Sequence, residues 1–194
     1  PLAQAGATVT VVDISADALA TLRRRAEESG VADRVVPVQA DVETLADALG
    51  TTTFDLVLAH GILEAVDAVG TTFAAIAGAV RPGGLLSVLV GNPVAAVLAR
   101  ALGGDLAGAL TELRSLDASF GPPGPAAVQA LVRSSGLLVE QLHGVGVFAE
   151  LVPGSALDAP GAAEALTDLE AETSSRPPFS DIAARVHVLA RRPG

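Results

Sequence analysis

The chain has 194 residues, half of them hydrophobic, with a mean hydropathy of +0.50 and a formal net charge of −10. That length allows one domain with a sizeable core, and the absence of cysteine excludes disulfide frameworks and thiolate-bound metals. No apolar run approaches the ~18 uninterrupted residues of a spanning helix, and an acidic chain whose twelve basic residues are all Arg repels phosphate backbones unless a local basic patch compensates; the dense cluster Arg23-Arg24-Arg25 reads as a solvated helix face rather than such a patch.

Short β-branched runs alternate with amphipathic helical stretches, the pattern of βαβ units and a largely parallel sheet. Residues 8–12 (TVTVV) predict a strand ending at Asp13, and Ser15 is placed to cap a helix that stops at Gly30. A second strand is expected at 34–38, leading into Asp41, then a short helix at 45–49. The nearly continuous apolar run 54–59 (FDLVLA) reads as a central strand buried on both faces and ending at His60-Gly61. A helix follows at 68–80. Arg81-Pro82-Gly83-Gly84 is expected to be a tight turn feeding a strand at 85–90.

Residues 94–115 have helical character with a break at Gly103-Gly104. Residues 121–125 (GPPGP) read as a loop and 126–134 as a helix closed by Gly136. Beyond them the sequence predicts a strand within 137–148, a helix at 162–172 and a last strand at 185–190, the two strands pairing as an antiparallel edge. The expected fold class is α/β: a Rossmann-like, doubly wound, mostly parallel sheet with an antiparallel carboxy-terminal pair.

In doubly wound sheets, ligands bind beyond the carboxyl ends of the strands. Asp13 and Asp41 both stand at such ends. A carboxylate there either accepts hydrogen bonds from a nucleoside's sugar and base or caps the next helix. His60 ends the apolar strand, where it is either a hydrogen-bonded core histidine or a group beside a bound ligand. His143 and His187 stand on late strands, so no metal site is expected. No serine lies in a nucleophile elbow, and no catalytic residue stands out.

The order VTVVDIS, QADV, FDLVLAHGILEAV, VRPGGLLSVLV resembles the class I S-adenosylmethionine-dependent methyltransferases. A narrower resemblance, carried by HGILEAV, RPGGLLSVLVGNP, GVGVF and LEAETSSRPPFSDIAARVHVLARRP, is to the bacterial tRNA 5-carboxymethoxyuridine methyltransferases, which methylate the carboxylate of a modified wobble uridine. The resemblance implies S-adenosylmethionine as cofactor and a cytoplasmic enzyme. It implies that Asp13 and Ile14 hold the ribose, that Asp41 and Val42 flank the adenine, and that His60 and Gly61 line the pocket near the methyl group. Asn92 would face the substrate, and Arg176 and Arg185, in the resembling tail, are either the clamp for an acceptor carboxylate or partners in surface salt bridges.

Ala65 stands where that family has an aromatic, and its basic stretch is missing around 107–115. The acceptor is thus expected to be tRNA or a small molecule, with no membrane and no metal. A non-catalytic scaffold of the same fold is the alternative from another class. A nicotinamide-dependent dehydrogenase also uses an acid after its second strand, but FDLVLAHGILEAV and RPGGLL argue against it. The family's glycine-rich loop and first strand are absent from residues 1–194, so the chain is expected to be a single methyltransferase domain lacking its first strand. A sheet without that strand exposes backbone edges. The 194-residue chain alone should therefore aggregate and bind cofactor weakly, checked by light scattering and calorimetry; a monomeric, tightly binding preparation would overturn the expectation.

Overall fold

The computed structural model describes residues 1–116 and 124–194. Most of the expected 121–125 loop lies outside the described residues. Six strands and seven α-helices form among those described, in the order β1 (Val9–Asp13), α1 (Ala16–Glu28), β2 (Val35–Gln39), α2 (Leu45–Leu49), β3 (Phe54–His60), α3 (Val69–Gly78), β4 (Val80–Gly91), α4 (Pro93–Leu102), α5 (Leu106–Leu116), α6 (Pro125–Ser134), β5 (Leu138–Val145), α7 (Ala162–Thr173) and β6 (Arg185–Arg191). The local signals act as read from the chain. Ser15 Oγ accepts from Ala18 N–H at 3.1 Å to start α1. Gly104, with φ of 84°, separates α4 from α5.

The strands form two sheets. β1 and β2 pair in parallel, and β3-β4-β6-β5 form the second sheet, in which β3 and β4 are parallel while β6 runs antiparallel to both β4 and β5. The carboxy-terminal strands are thus antiparallel as expected, but only β5 is an edge; β6 lies inside the sheet. Between β1 and β3, no strand among the described residues pairs with either facing edge.

The core lies on one face of the larger sheet. Ala59, Val88 and Val188 stand in one register row and are 3%, 0% and 0% exposed. Phe73 and Ile76 of α3 and Val128 and Val132 of α6 cover that face. Burial of such side chains stabilises by roughly 1.5–3 kcal/mol each.

Two expectations need correction. β3 is not buried on both faces: Leu56 and Leu58 are 39% and 48% exposed, because one edge of the strand is unpaired and this row opens onto the gap toward β1. The Arg81–Gly84 stretch is not a turn before a strand but an irregularity inside β4. Val80 already pairs with Phe54, the register shifts, and pairing resumes at Leu85 opposite Leu56. Gly83 takes φ of 75°, and Arg81 Nε donates to Asp55 Oδ1 at 2.7 Å, tying the bulge to β3. That guanidinium holds the Asp55 carboxyl below its usual pKa.

Gly84 is required by close approach. A Cβ there would lie 2.9 Å from the Arg81 carbonyl oxygen and 3.1 Å from that of Asp55. Gly84→Ala should destabilise by roughly 1–3 kcal/mol as backbone is pushed apart. Gly78→Ala, at the end of α3 with nothing within 4 Å of the added carbon, should be neutral or stabilising by up to about 1 kcal/mol. Urea denaturation of the two variants checks the contrast.

Candidate functional site

β1 and β3 face each other across a cleft of about 1080 Å³, and every residue of both strands lines it. The cleft has two parts. Along the strands its walls are mostly apolar, with Val9, Val11 and Val12 on one side and Leu56 and Leu58 on the other. At the carboxyl ends it has a polar rim bearing Asp13, Asp41, Glu43, His60 and Asp67.

The rim is built by short local bonds. Asp13 Oδ1 accepts from Ser15 N–H at 2.8 Å, and Asp41 Oδ1 accepts from Glu43 N–H at 2.9 Å. Each carboxylate therefore spends one oxygen on the turn that follows its strand. Its other oxygen has no protein partner among the described residues. Gln39 Nε2 donates to Ile14 O at 3.2 Å and ties the ends of β1 and β2 together. Glu43 Oε1 accepts from the backbone N–H groups of Asp67 and Ala68 at 3.1 and 3.0 Å, fastening the rim to the loop before α3. Gly61 turns the chain away from β3 with φ of 67°, its N–H bonded to Leu89 O at 2.9 Å.

His60 closes the rim from the β3 side. Its Nε2 lies 2.8 Å from Ser87 Oγ, which lies 2.7 Å from His187 Nε2. The His143 ring stacks on that of His187, centroids 6.1 Å apart and planes within 10°. Partial burial holds His60 below its ordinary pKa. His187 is also held low, first by burial and then by repulsion from His60 and His143.

Six expected site residues, Asp13, Ile14, Asp41, Val42, His60 and Gly61, come together at this rim, all but Gly61 directly lining the cleft. The three expected substrate residues do not line it. Asn92 is 5% exposed, and its side chain is fully engaged: Nδ2 donates to Asp181 O and Ala183 O at 2.8 Å each, and Oδ1 accepts from Val94 N–H to cap α4. Arg176 pairs with Glu172 at 2.6 Å, one turn away on an exposed surface. Arg185 opens β6 opposite Gly91 and Val145. Glu43, Asp67 and the Ser87–His187 pair were not legible as site residues. Glu43 follows QADV directly, which is a usable signal; the loop path brings Asp67 to the rim, and strand register brings Ser87 and His187 behind His60.

Residues 1–88 match the family described as methyltransferase domain. These residues, just under half of the chain, are similar to methyltransferase domains. Across 99% of the chain it is 27% identical to the tRNA 5-carboxymethoxyuridine methyltransferase of Escherichia coli K12, of which it spans 74%. The fold is likewise that of solved methyltransferases. An S-adenosylmethionine-dependent methyltransferase from Mesorhizobium loti matches with a TM-score of 0.58 and 21% identity, over 96% of this chain and 81% of that one. The magnesium protoporphyrin IX methyltransferase of Synechocystis PCC 6803, solved with bound SAH, matches with a TM-score of 0.58 and 17% identity, over 99% and 67% of the two chains. Among the described residues there is no cluster arranged to hold a metal ion and no helix long and apolar enough to cross a membrane.

The lowered histidine values set a pH dependence. The unfolded rings titrate near the ordinary 6.5, the folded rings below it. Between those values the unfolded chain binds more protons, so stability rises with pH through the window and falls as pH drops through the folded values. Urea midpoints at pH 7.5 should exceed those at pH 5.5, and His187→Gln should flatten the difference.

Proposed function

We propose that this methyltransferase domain transfers the methyl group of S-adenosylmethionine to the carboxylate of a modified tRNA wobble uridine, in the cytoplasm. The observation that carries the cofactor half is the pair of half-satisfied carboxylates at consecutive strand ends, Asp13 and Asp41, on one rim. A nucleoside offers donors on sugar and base, and each aspartate keeps one oxygen to accept them. The residues fit the cofactor's charge as well: Asp13, Asp41, Glu43 and Asp67 surround the rim without a lining Arg, a field that suits a cationic sulfonium ligand. The likeness to the E. coli tRNA enzyme along almost the whole chain supports the acceptor half.

The cofactor supplies an already activated methyl group, so the protein's part is orientation and exclusion of water. Asp13 with Ile14 would hold the ribose and Asp41 with Val42 the adenine. His60 and Gly61 would border the reacting end. A carboxylate acceptor is ionised at neutral pH and needs no general base. The open edges of β1 and β3 support one further element of this reading: a single domain in which another strand belongs between them, filling the apolar part of the cleft and leaving the rim to the cofactor.

A small-molecule acceptor is the second reading, favoured by the net charge of −10 and the absence of a lining Arg. Calorimetry of the full-length protein with S-adenosylhomocysteine tests the cofactor half; micromolar binding is expected, and none at millimolar ligand moves the reading to a non-catalytic scaffold. Asp13→Ala should weaken binding by roughly ten- to a hundred-fold, the loss of charge-assisted hydrogen bonds worth about 1.5–3 kcal/mol. Methylation of tRNA carrying carboxymethoxyuridine, against small carboxylic acids and phenols, separates the two acceptors.

A further inference from the structure

The cleft poses a problem for an anionic acceptor. Its charged lining groups are carboxylates, and among the described residues His60 is the one lining side chain that carries a nitrogen donor. Arg176 is committed to Glu172, and Arg185 lies outside the cleft wall. An acceptor carboxylate bound here depends on His60 for a side-chain N–H.

The state of His60 is set from behind. His60, Leu89, His187 and His143 lie in one register row across β3, β4, β6 and β5, and Ser87 lies two residues before Leu89 on the same face of β4. Ser87 is 6% exposed and stands between the two Nε2 atoms, 2.8 Å from His60 and 2.7 Å from His187. A serine hydroxyl has one proton. It also has two lone pairs, so with both rings neutral the two cannot both lack a proton on Nε2 while the two bonds persist; both could carry one only by leaving the hydroxyl proton without an acceptor, since Ser87 Oγ has no third partner among the described residues. The hydroxyl thus couples the tautomer of the cleft residue to that of a residue on β6. The Nδ1 atom of His60 has no protein partner among the described residues.

We propose that His187 Nε2–H donates to Ser87 Oγ, that the Ser87 hydroxyl donates to His60 Nε2, and that His60 is thereby held neutral with its proton on Nδ1, where it donates to the carboxylate of the methyl acceptor. The inference rests on the carboxylate reading above. A neutral N–H orients the carboxylate through one oxygen while leaving it anionic and nucleophilic, and it adds no positive charge beside the sulfonium. Ser87 and His187 are positioning residues; no proton moves and no bond is made in the chain itself.

Ring-nitrogen NMR of the full-length, 15N-histidine-labelled protein with S-adenosylhomocysteine at pH 7.5 reads the tautomers directly. The proposal requires His60 to carry its proton on Nδ1 and His187 on Nε2. The opposite arrangement overturns it, since it turns the Nδ1 lone pair of His60 outward, as a base for a hydroxyl or amine acceptor. Ser87→Ala should release His60 into a mixture of tautomers and raise KM for tRNA carrying carboxymethoxyuridine by roughly ten-fold, the worth of one oriented hydrogen bond. Ser87→Thr, which keeps the hydroxyl, should restore both readouts, and S-adenosylhomocysteine affinity should stay within about two-fold throughout. Unchanged KM in a folded Ser87→Ala protein overturns the positioning role. A wild-type protein that binds S-adenosylhomocysteine but leaves that tRNA unmethylated overturns the acceptor reading and the carboxylate contact with it, whatever tautomer His60 shows.

Discussion

β4 is hydrogen-bonded along both edges, to β3 on one side and β6 on the other, and its period-two alternation is the constraint on which the site depends. Leu86, Val88 and Val90 must face α3 and α6, where they are at most 1% exposed. That demand sends Ser87 and Leu89 to the opposite face. A slip of one residue would exchange the two sets and bury a hydroxyl among aliphatic side chains. The register that satisfies the core is therefore the one that places Ser87 between His60 and His187.

The bulge at the start of β4 makes this register compatible with the helix before it. α3 ends at Gly78, and pairing with β3 begins at once at Val80. The Arg81–Gly84 stretch takes up the residues that would otherwise shift the ladder, with Gly84 pressed against the Asp55 carbonyl and Arg81 bonded to the Asp55 carboxylate. At the other end of the sheet, Arg191 pairs with Glu140 and donates to Gly83 O, so β5, β6 and the bulge are tied together. The loop after β5 is held in a similar way: Glu170 on α7 accepts from the backbone N–H groups of Val147, Phe148 and Ala149, and those bonds hold its carboxyl below the usual range despite partial burial. Carboxylates thus serve two purposes in this acidic chain. Those at Glu43, Glu140 and Glu170 satisfy backbone donors or an Arg, while Asp13 and Asp41 keep an oxygen for something else.

Amino-acid order alone determined the elements and the rim. Strand ends, a capping serine, helix-breaking glycines and an apolar run are local features, and a local pattern is all that period and capping rules require. Asp13, Asp41 and His60 were legible as neighbours on one rim because each closes or closely follows a predicted strand, and in a parallel sheet such ends share one side. The alternative reading of Asp13 and Asp41 as capping groups holds for one oxygen of each.

Tertiary structure decided what depends on neighbours distant in sequence. Whether FDLVLA is buried on both faces depends on what pairs with its outer edge, and the apolar composition of the run says nothing about that partner. Whether RPGG is a turn or a bulge depends on the ladder to β3. The reach of Asn92 was set by two carbonyl groups about ninety residues onward, and the conjunction of His60, Ser87 and His187 by a register spanning 27 and 100 positions. Local periodicity specifies which way a side chain points from its own strand; only the pairing of strands specifies what it points beside.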